Sequence, residues 1–477
     1  MVPSFLLNIW WLLVLVGVMI LVHELGHFWA ARAFDVKVEV FSFGFGPRLF
    51  GFRRAETDYR FSLLLFGGYV KMAGEQPGEN FTGSPLARAA GNDEPSGPSE
   101  ELRNDPRAMF NKPRWQRLII LAAGPFMNVV LAIAVLTGLF MFSGYEKVLN
   151  EGGAVIGHIT PDSPAAKAGI QVGDKIVRLD GKENPDWEAI VTKEIESADR
   201  PMTVTIERAG RRFPLSVTPV LDPREGVGSA GWDGQNQIEV ISLTPGSPAA
   251  KAGLQKGDLL VRINNTPIRW RDTLQDTIRK SDGKPVTIEY VRNGAHQSVT
   301  IQPVYSNPDG TSRWMIGVLT DMKLNIQKTR LSLPDALHQS LVENGKNASL
   351  IFEFLRGIVE RRMSAKNISG PIGIAHYATE AAQEGAGPFL MLMSVVSLNL
   401  AIINLLPIPI LDGGGILTLL IETVMGRDLS MNVKEAMLKV GFVFLMMLMV
   451  FVIYNDIAKR FTPGLAIPSA HSLMQKR

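Results

Sequence analysis

The chemistry of this sequence starts at the end of its first apolar run. Val22-His23-Glu24-Leu25-Gly26-His27-Phe28 places two histidines four positions apart, with a glutamate directly after the first. On a helix, positions i and i+4 share a face. The two imidazoles can therefore grip one zinc ion, while Glu24 faces a water beside it as general base. The pattern is short and also arises in soluble helices, where such a histidine is an ordinary surface or core residue. Here it continues Leu6 to Leu21, an almost unbroken apolar stretch. Ionisable groups in a membrane-length helix are costly unless they have a task.

Two histidines and a water leave a zinc one protein ligand short. The other histidines, His158, His296, His338, His376 and His471, lie outside the apolar runs. Asp412 is the better third ligand. It ends Asn404-Leu-Leu-Pro407-Ile-Pro409-Ile-Leu-Asp412, late in another apolar run. Pro407 and Pro409 break that helix and free backbone groups for a ligand or a cavity, although a plain kink would also use them.

The elements that must position these groups follow from composition and pattern. The chain has 477 residues, room for about three domains. Its mean hydropathy of +0.11 fits a mixture of membrane-embedded and water-exposed parts. A net charge of +3 and no basic patch give no sign of a nucleic-acid partner. With no cysteine there are no disulfides, thiolate zinc sites or cysteine nucleophiles. The N-terminus lacks the basic region of a signal peptide, so 1–35 reads as a retained first span. Arg32, Arg48, Arg53, Arg54, Arg60 and Lys71 follow it, which makes that side cytoplasmic. At 1.5 Å per residue, His23 then lies about 27 Å below the outer entry, nearer the cytoplasmic face.

Alternating apolar residues over 36–72 predict a β-hairpin that could dip into the bilayer. A flexible cytoplasmic loop fills 73–117, and a second span 118–143. In that span Asn128 reads best as a packing residue. Leu333 to Arg361, within 333–363, is too polar to cross and reads as helices lying on the membrane. A third segment, 388–424, carries Asp412, and a fourth span covers 436–457. Arg427, Lys434 and Lys439 make the loop between those two cytoplasmic. The expected class is a polytopic α-helical membrane protein with four transmembrane helices.

Between spans two and three lies a duplication. Ser163-Pro-Ala-Ala-Lys-Ala-Gly recurs as Ser247-Pro-Ala-Ala-Lys-Ala-Gly, each copy followed by a Gly-Asp turn and an apolar strand. The copies resemble tandem PDZ domains (α+β) at 152–221 and 236–304, a fold that binds extended peptides by strand addition.

With these residues in hand, the chain resembles the site-2 protease family of intramembrane zinc metalloproteases. His-Glu-x-x-His in a first span and Asn-x-x-Pro-x-Pro-x-x-Asp-Gly in a later one carry the likeness. Phe66-Gly-Gly-Tyr-Val-Lys-Met, Ala123-Gly-Pro-x-x-Asn128 and the inserted repeat extend it from the first span to the fourth. Relatives often have His or Arg after Asp-Gly-Gly, where this chain has Gly415. The resemblance implies one Zn2+ per chain on His23, His27 and Asp412, with Glu24 as catalytic base. It implies that Asn404 hydrogen-bonds the substrate. A substrate must be extended to be cut, and the edge of the hairpin around Phe61, Leu63, Leu65, Gly67, Gly68 and Tyr69 would hold it so. The expected partners are the lipid bilayer and single-span membrane proteins already trimmed outside, such as an anti-sigma factor. The expected place is the bacterial inner membrane, with the PDZ pair outside and excluding untrimmed substrates. Two rivals are an ion-coupled transporter built on a broken helix and a membrane-anchored PDZ scaffold. The sequence leaves the oligomeric state open.

Overall fold

The computed structural model describes residues 4–74, 104–148, 153–222, 226–307, 312–323 and 326–461. The chain divides into two units. One is helical and built from both ends of the chain; the other holds the repeats.

The helical unit opens with α1 (Ser4–Ala33), then strands β1 (Val38–Arg54) and β2 (Thr57–Met72), then α2 (Arg114–Phe142). After the repeats come α3 (Leu333–Val359), α4 (Pro371–Glu384), α5 (Ala386–Asn404), α6 (Asp412–Met425) and α7 (Met431–Phe461). Four of these are long and apolar enough to cross a membrane: Leu6–Ala33, Arg114–Phe142, Ala386–Asn404 and Met431–Ala458. Small residues set the crossing of α1 and α2. A Cβ on Gly26 of α1 would stand 2.3 Å from the Ala123 carbonyl of α2, so the two backbones touch there.

Several expectations need correction. Of the expected loop 73–117, residues 75–103 lie outside the described residues, but its end is packed. Ala108 and Met109 are fully buried, and α2 begins at Arg114 rather than 118. Arg107 binds Glu56 at the β1–β2 turn and holds that carboxyl below the usual carboxylate range. The stretch 333–363, expected as several helices, is occupied by α3. α3 is one helix whose small residues fit it along α2: Ala336 meets Leu136 and Phe140, and Ser340 bonds Thr137 at 2.9 Å. Farther along, Ala348, Ile351 and Leu355 pack with Val129 and Ala132. The third segment, 388–424, is two helices, α5 and α6, separated by residues 405–411.

The hairpin is also more folded than expected. Val40–Phe43 pairs with Lys71–Gly68 on one side and with Asp58–Phe61 on the other. Phe61 and Leu63 therefore face outward, while Ser62 between them is buried against Ser42. The alternation was read correctly as β; Val36, Val38, Val70 and Met72 fill the core, while Phe61 and Leu63 point away from it.

The two repeats share one plan. Each has a sheet, a four-residue helix capped by Ser163 or Ser247, and a ten-residue helix (Trp187–Glu196 or Arg271–Lys280). The repeated Gly-Asp turns have one job. Asp174 binds Arg208 and Asp258 binds Arg292, each at 2.6 Å, and each arginine also reaches a turn carbonyl. The expected ends at 221 and 304 fall short. Trp232–Gly234 completes the first sheet and Val318–Lys323 the second. Both added strands follow a loop, and their apolar side chains are too few to read as strands from periodicity.

Candidate metal centre

α1 presents His23 and His27 on one face, their Nε2 atoms 3.2 Å apart. Asp412 begins α6, in its first turn. The preceding Pro407 and Pro409 end α5 and let the chain fold back, so that the Gly413 and Gly414 backbone lies on the Leu405, Leu406 and Ile408 carbonyls. This brings the Asp412 carboxylate to 3.2 Å from His23 Nε2 and 3.5 Å from His27 Nε2. Ligand atoms about 2.0 Å from a tetrahedral zinc stand about 3.3 Å apart. The triangle thus fits one zinc ion, with the fourth corner left for water or substrate. Among the described residues it is the one group of three or more His, Cys, Asp or Glu side chains spaced to hold a metal.

Neighbouring residues set the rings. His27 Nδ1 donates to the Ile120 carbonyl at 2.8 Å, which leaves Nε2 with its lone pair for a metal. His23 Nδ1 lies 3.3 Å from Asn128 Nδ2, and Asn128 Oδ1 has no partner. With Nε2 on a metal, Nδ1 carries the proton, and a half-turn of the Asn128 amide exchanges Nδ2 for Oδ1, which accepts it. Asn128 is fully buried, and its backbone carbonyl accepts from Ser397 of α5 at 2.9 Å. Packing alone therefore undersells Asn128. Gly124 was noted only as part of a motif. A Cβ there would sit 2.2 Å from His27 Nε2 and 2.8 Å from His23 Cε1, so only glycine leaves room for both rings. A glycine one turn before an intramembrane Asn was the available signal.

Glu24 is buried, and its Oε2 has no hydrogen-bond partner. β2 crosses here: a Cβ on Gly68 would be 3.2 Å from the Glu24 side chain and 3.3 Å from Ile20. The other expected site residues are spread more widely. Tyr69 accepts from Arg60 at 2.6 Å and stacks on Phe45, whose ring also fills the space beside Gly67. Phe61 and Leu63 are exposed, and the Leu65 side chain lies outside the described residues. Asn404 is the last residue of α5 and half-buried; Pro407 is exposed, and the Pro409 backbone lies against Gly441 of α7.

The family model for peptidase family M50 matches residues 11–448. The chain belongs to that family. The M50 relatives include the regulator of sigma-E protease RseP of Salmonella typhimurium, 33% identical over 474 residues, which cover 96% of this chain and 99% of that protein. RseP of Escherichia coli K12 is 32% identical over 482 residues, again 96% and 99% of the two chains. A protein of Xylella fastidiosa whose name carries the words zinc metalloprotease is 31% identical over 471 residues, 95% and 99% of the two. Among solved structures, the PDZ domain of the SdrC-like protein of Listeria monocytogenes is similar over 18% of this chain and 87% of its own, at 24% identity and a TM-score of 0.16. As an M50 peptidase, this chain is an intramembrane zinc metalloprotease, and the transporter and scaffold readings fall away.

Proposed function

We propose that His23, His27 and Asp412 hold one zinc ion and that Glu24 is the base of a peptide-bond hydrolysis within the membrane. The observation that carries this is the 3.2–3.5 Å triangle of ligand atoms beside a buried carboxylate oxygen without a partner. Zinc in that place would supply Lewis-acid polarisation of the scissile carbonyl and acidify the attacking water. Glu24 takes the proton of that water and returns it to the leaving amine. Asn128 and the Ile120 carbonyl keep both imidazoles in the tautomer that points Nε2 inward. Asn404 and the edge of β2 at Gly67 and Gly68 are the groups proposed to hold an extended substrate backbone.

The substrate class is the membrane segment of a single-span protein already shortened outside, such as an anti-sigma factor. This reading draws on the relatives named for regulation of sigma-E. The repeats are read as two PDZ modules, placed outside the cytoplasm by the basic residues after α1. The protein resides in the bacterial inner membrane with its site toward the cytoplasmic side. One basic residue counted for that orientation is better discounted: Lys434 is buried on Glu422 at 2.8 Å. The test is cleavage of a single-span model substrate by the purified protein and by Glu24→Gln. Loss of cleavage with zinc retained supports the assignment, and equal cleavage refutes it.

A further inference from the structure

The two repeats differ at one buried position. The long helix of the first repeat carries Glu194, which is 7% exposed. Its carboxylate accepts from the Ala230 backbone N–H at 2.5 Å and from Trp232 Nε1 at 3.0 Å. The repeat motif recurs 84 positions on, from Ser163 to Ser247, and the same step leads from Glu194 to Ile278. Ile278 is a core residue of the second repeat with no acid in its place.

Ala230 and Trp232 belong to the loop and strand that face this helix. Gly228 lies so close to it that a Cβ would stand 2.4 Å from the Glu194 carbonyl. A module that binds a peptide C-terminus by strand addition needs two things at this spot: backbone N–H groups for the carboxylate and a free strand edge. In the first repeat a carboxylate from the protein itself already takes the Ala230 N–H. The same end is covered from outside. Ser364 N–H donates to the Gly226 carbonyl at 3.1 Å, and Arg362 Nη1 donates to the Glu196 carbonyl at 3.1 Å.

We propose that Glu194 is an internal stand-in for a peptide carboxylate, so that the first repeat is self-ligated and takes no peptide terminus. Any recognition of a trimmed substrate end then falls to the second repeat, where the matching position is Ile278. This rests on reading the repeats as PDZ modules. A carboxylate buried with two N–H donors is displaced only by a ligand that matches both, at a cost a free peptide end does not recover. Removing it opens the site.

The experiment titrates the full-length protein, in detergent, with a fluorescent decapeptide ending in valine, against the same peptide with an amidated C-terminus. Glu194→Ile copies the second repeat and is expected to bind one more peptide per chain than the parent, with the extra binding lost on amidation. A folded variant with no extra binding overturns the proposal. Hydrogen exchange of the unaltered protein with saturating peptide gives a reading free of any folding defect in the variant. Residues 226–234 should exchange unchanged by peptide; slowing there overturns the proposal while leaving the PDZ reading intact. Absence of carboxylate-dependent binding to either repeat, in parent and variant alike, would instead reject the PDZ reading and the proposal with it.

Discussion

His23 Nε2 on the first long helix lies 3.2 Å from Asp412 Oδ2 on the sixth. Neither residue could reach the other without the break at Pro407 and Pro409, which turns the chain so that Asp412 opens a new helix. The position of that break therefore matters more to the site than the length of the segment around it.

Gly124 tests how tightly the site is packed. Gly124→Ala puts a methyl where His27 Nε2 and His23 Cε1 now stand. Activity should fall by roughly 100-fold or more, the size expected when reacting groups are displaced by about 1 Å. Zinc content should fall with it, while the protein stays in the membrane. Parental activity in this variant would mean that α1 and α2 cross differently from the geometry described.

Asn128 tests the orientation of His23. Asn128→Ala removes the acceptor for Nδ1–H, and affinity for zinc should drop by roughly 10- to 100-fold. Competition with a chromogenic chelator reads this directly. Unchanged affinity would return Asn128 to a packing role.

Glu24→Gln keeps the shape of the side chain but cannot take a proton. Turnover should fall by roughly 100- to 10,000-fold with zinc unchanged. A model substrate cut at the parental rate would remove Glu24 from the mechanism.

Much of this was legible in the sequence. His23, Glu24 and His27 were visible because helical spacing is local, and Asp412 because an acid in an apolar run is rare. Asn128 and Gly124 were underread because their importance comes from another helix crossing them. The helix α4 was missed altogether. Its buried face uses small residues, Ala378 and Ala381 against Leu15 and Met19, and its start is capped by Asp456 of α7 through the Gly370 and Gly373 N–H groups. No periodic signal marks such a contact. The expected repeats, ending at 221 and resuming at 236, left 229–235 outside both, yet Ala230 and Trp232 are core residues.

That last point changes how topology should be tested. A reporter inserted in 229–235 would break the first sheet. The exposed turn at Asn293 and Gly294, between two paired strands, accepts an insertion instead. A reporter there should be active only outside the cytoplasm. Activity inside would overturn the orientation and move the site to the other face.

The same correction applies to removing the repeats. Excision of 153–323 takes both complete modules, whereas stopping at 304 would strand the final strand of the second sheet. Strands Tyr145–Val148 and Ile326–Thr329, which flank the excision, pair with each other. If the repeats exclude untrimmed substrates, the shortened protein should cleave the full-length substrate faster than the parent does. If they recruit, cleavage of the trimmed substrate should fall instead. Unchanged exclusion of the full-length form would sink the exclusion role.

The central claim is the ligand set, and zinc content measures it most directly. The purified parent should carry about one zinc per chain by mass spectrometry of the metal. Asp412→Ala, purified alongside, should carry far less while remaining in the membrane fraction and monodisperse in detergent. An Asp412→Ala protein with the parent's full zinc content would contradict the account.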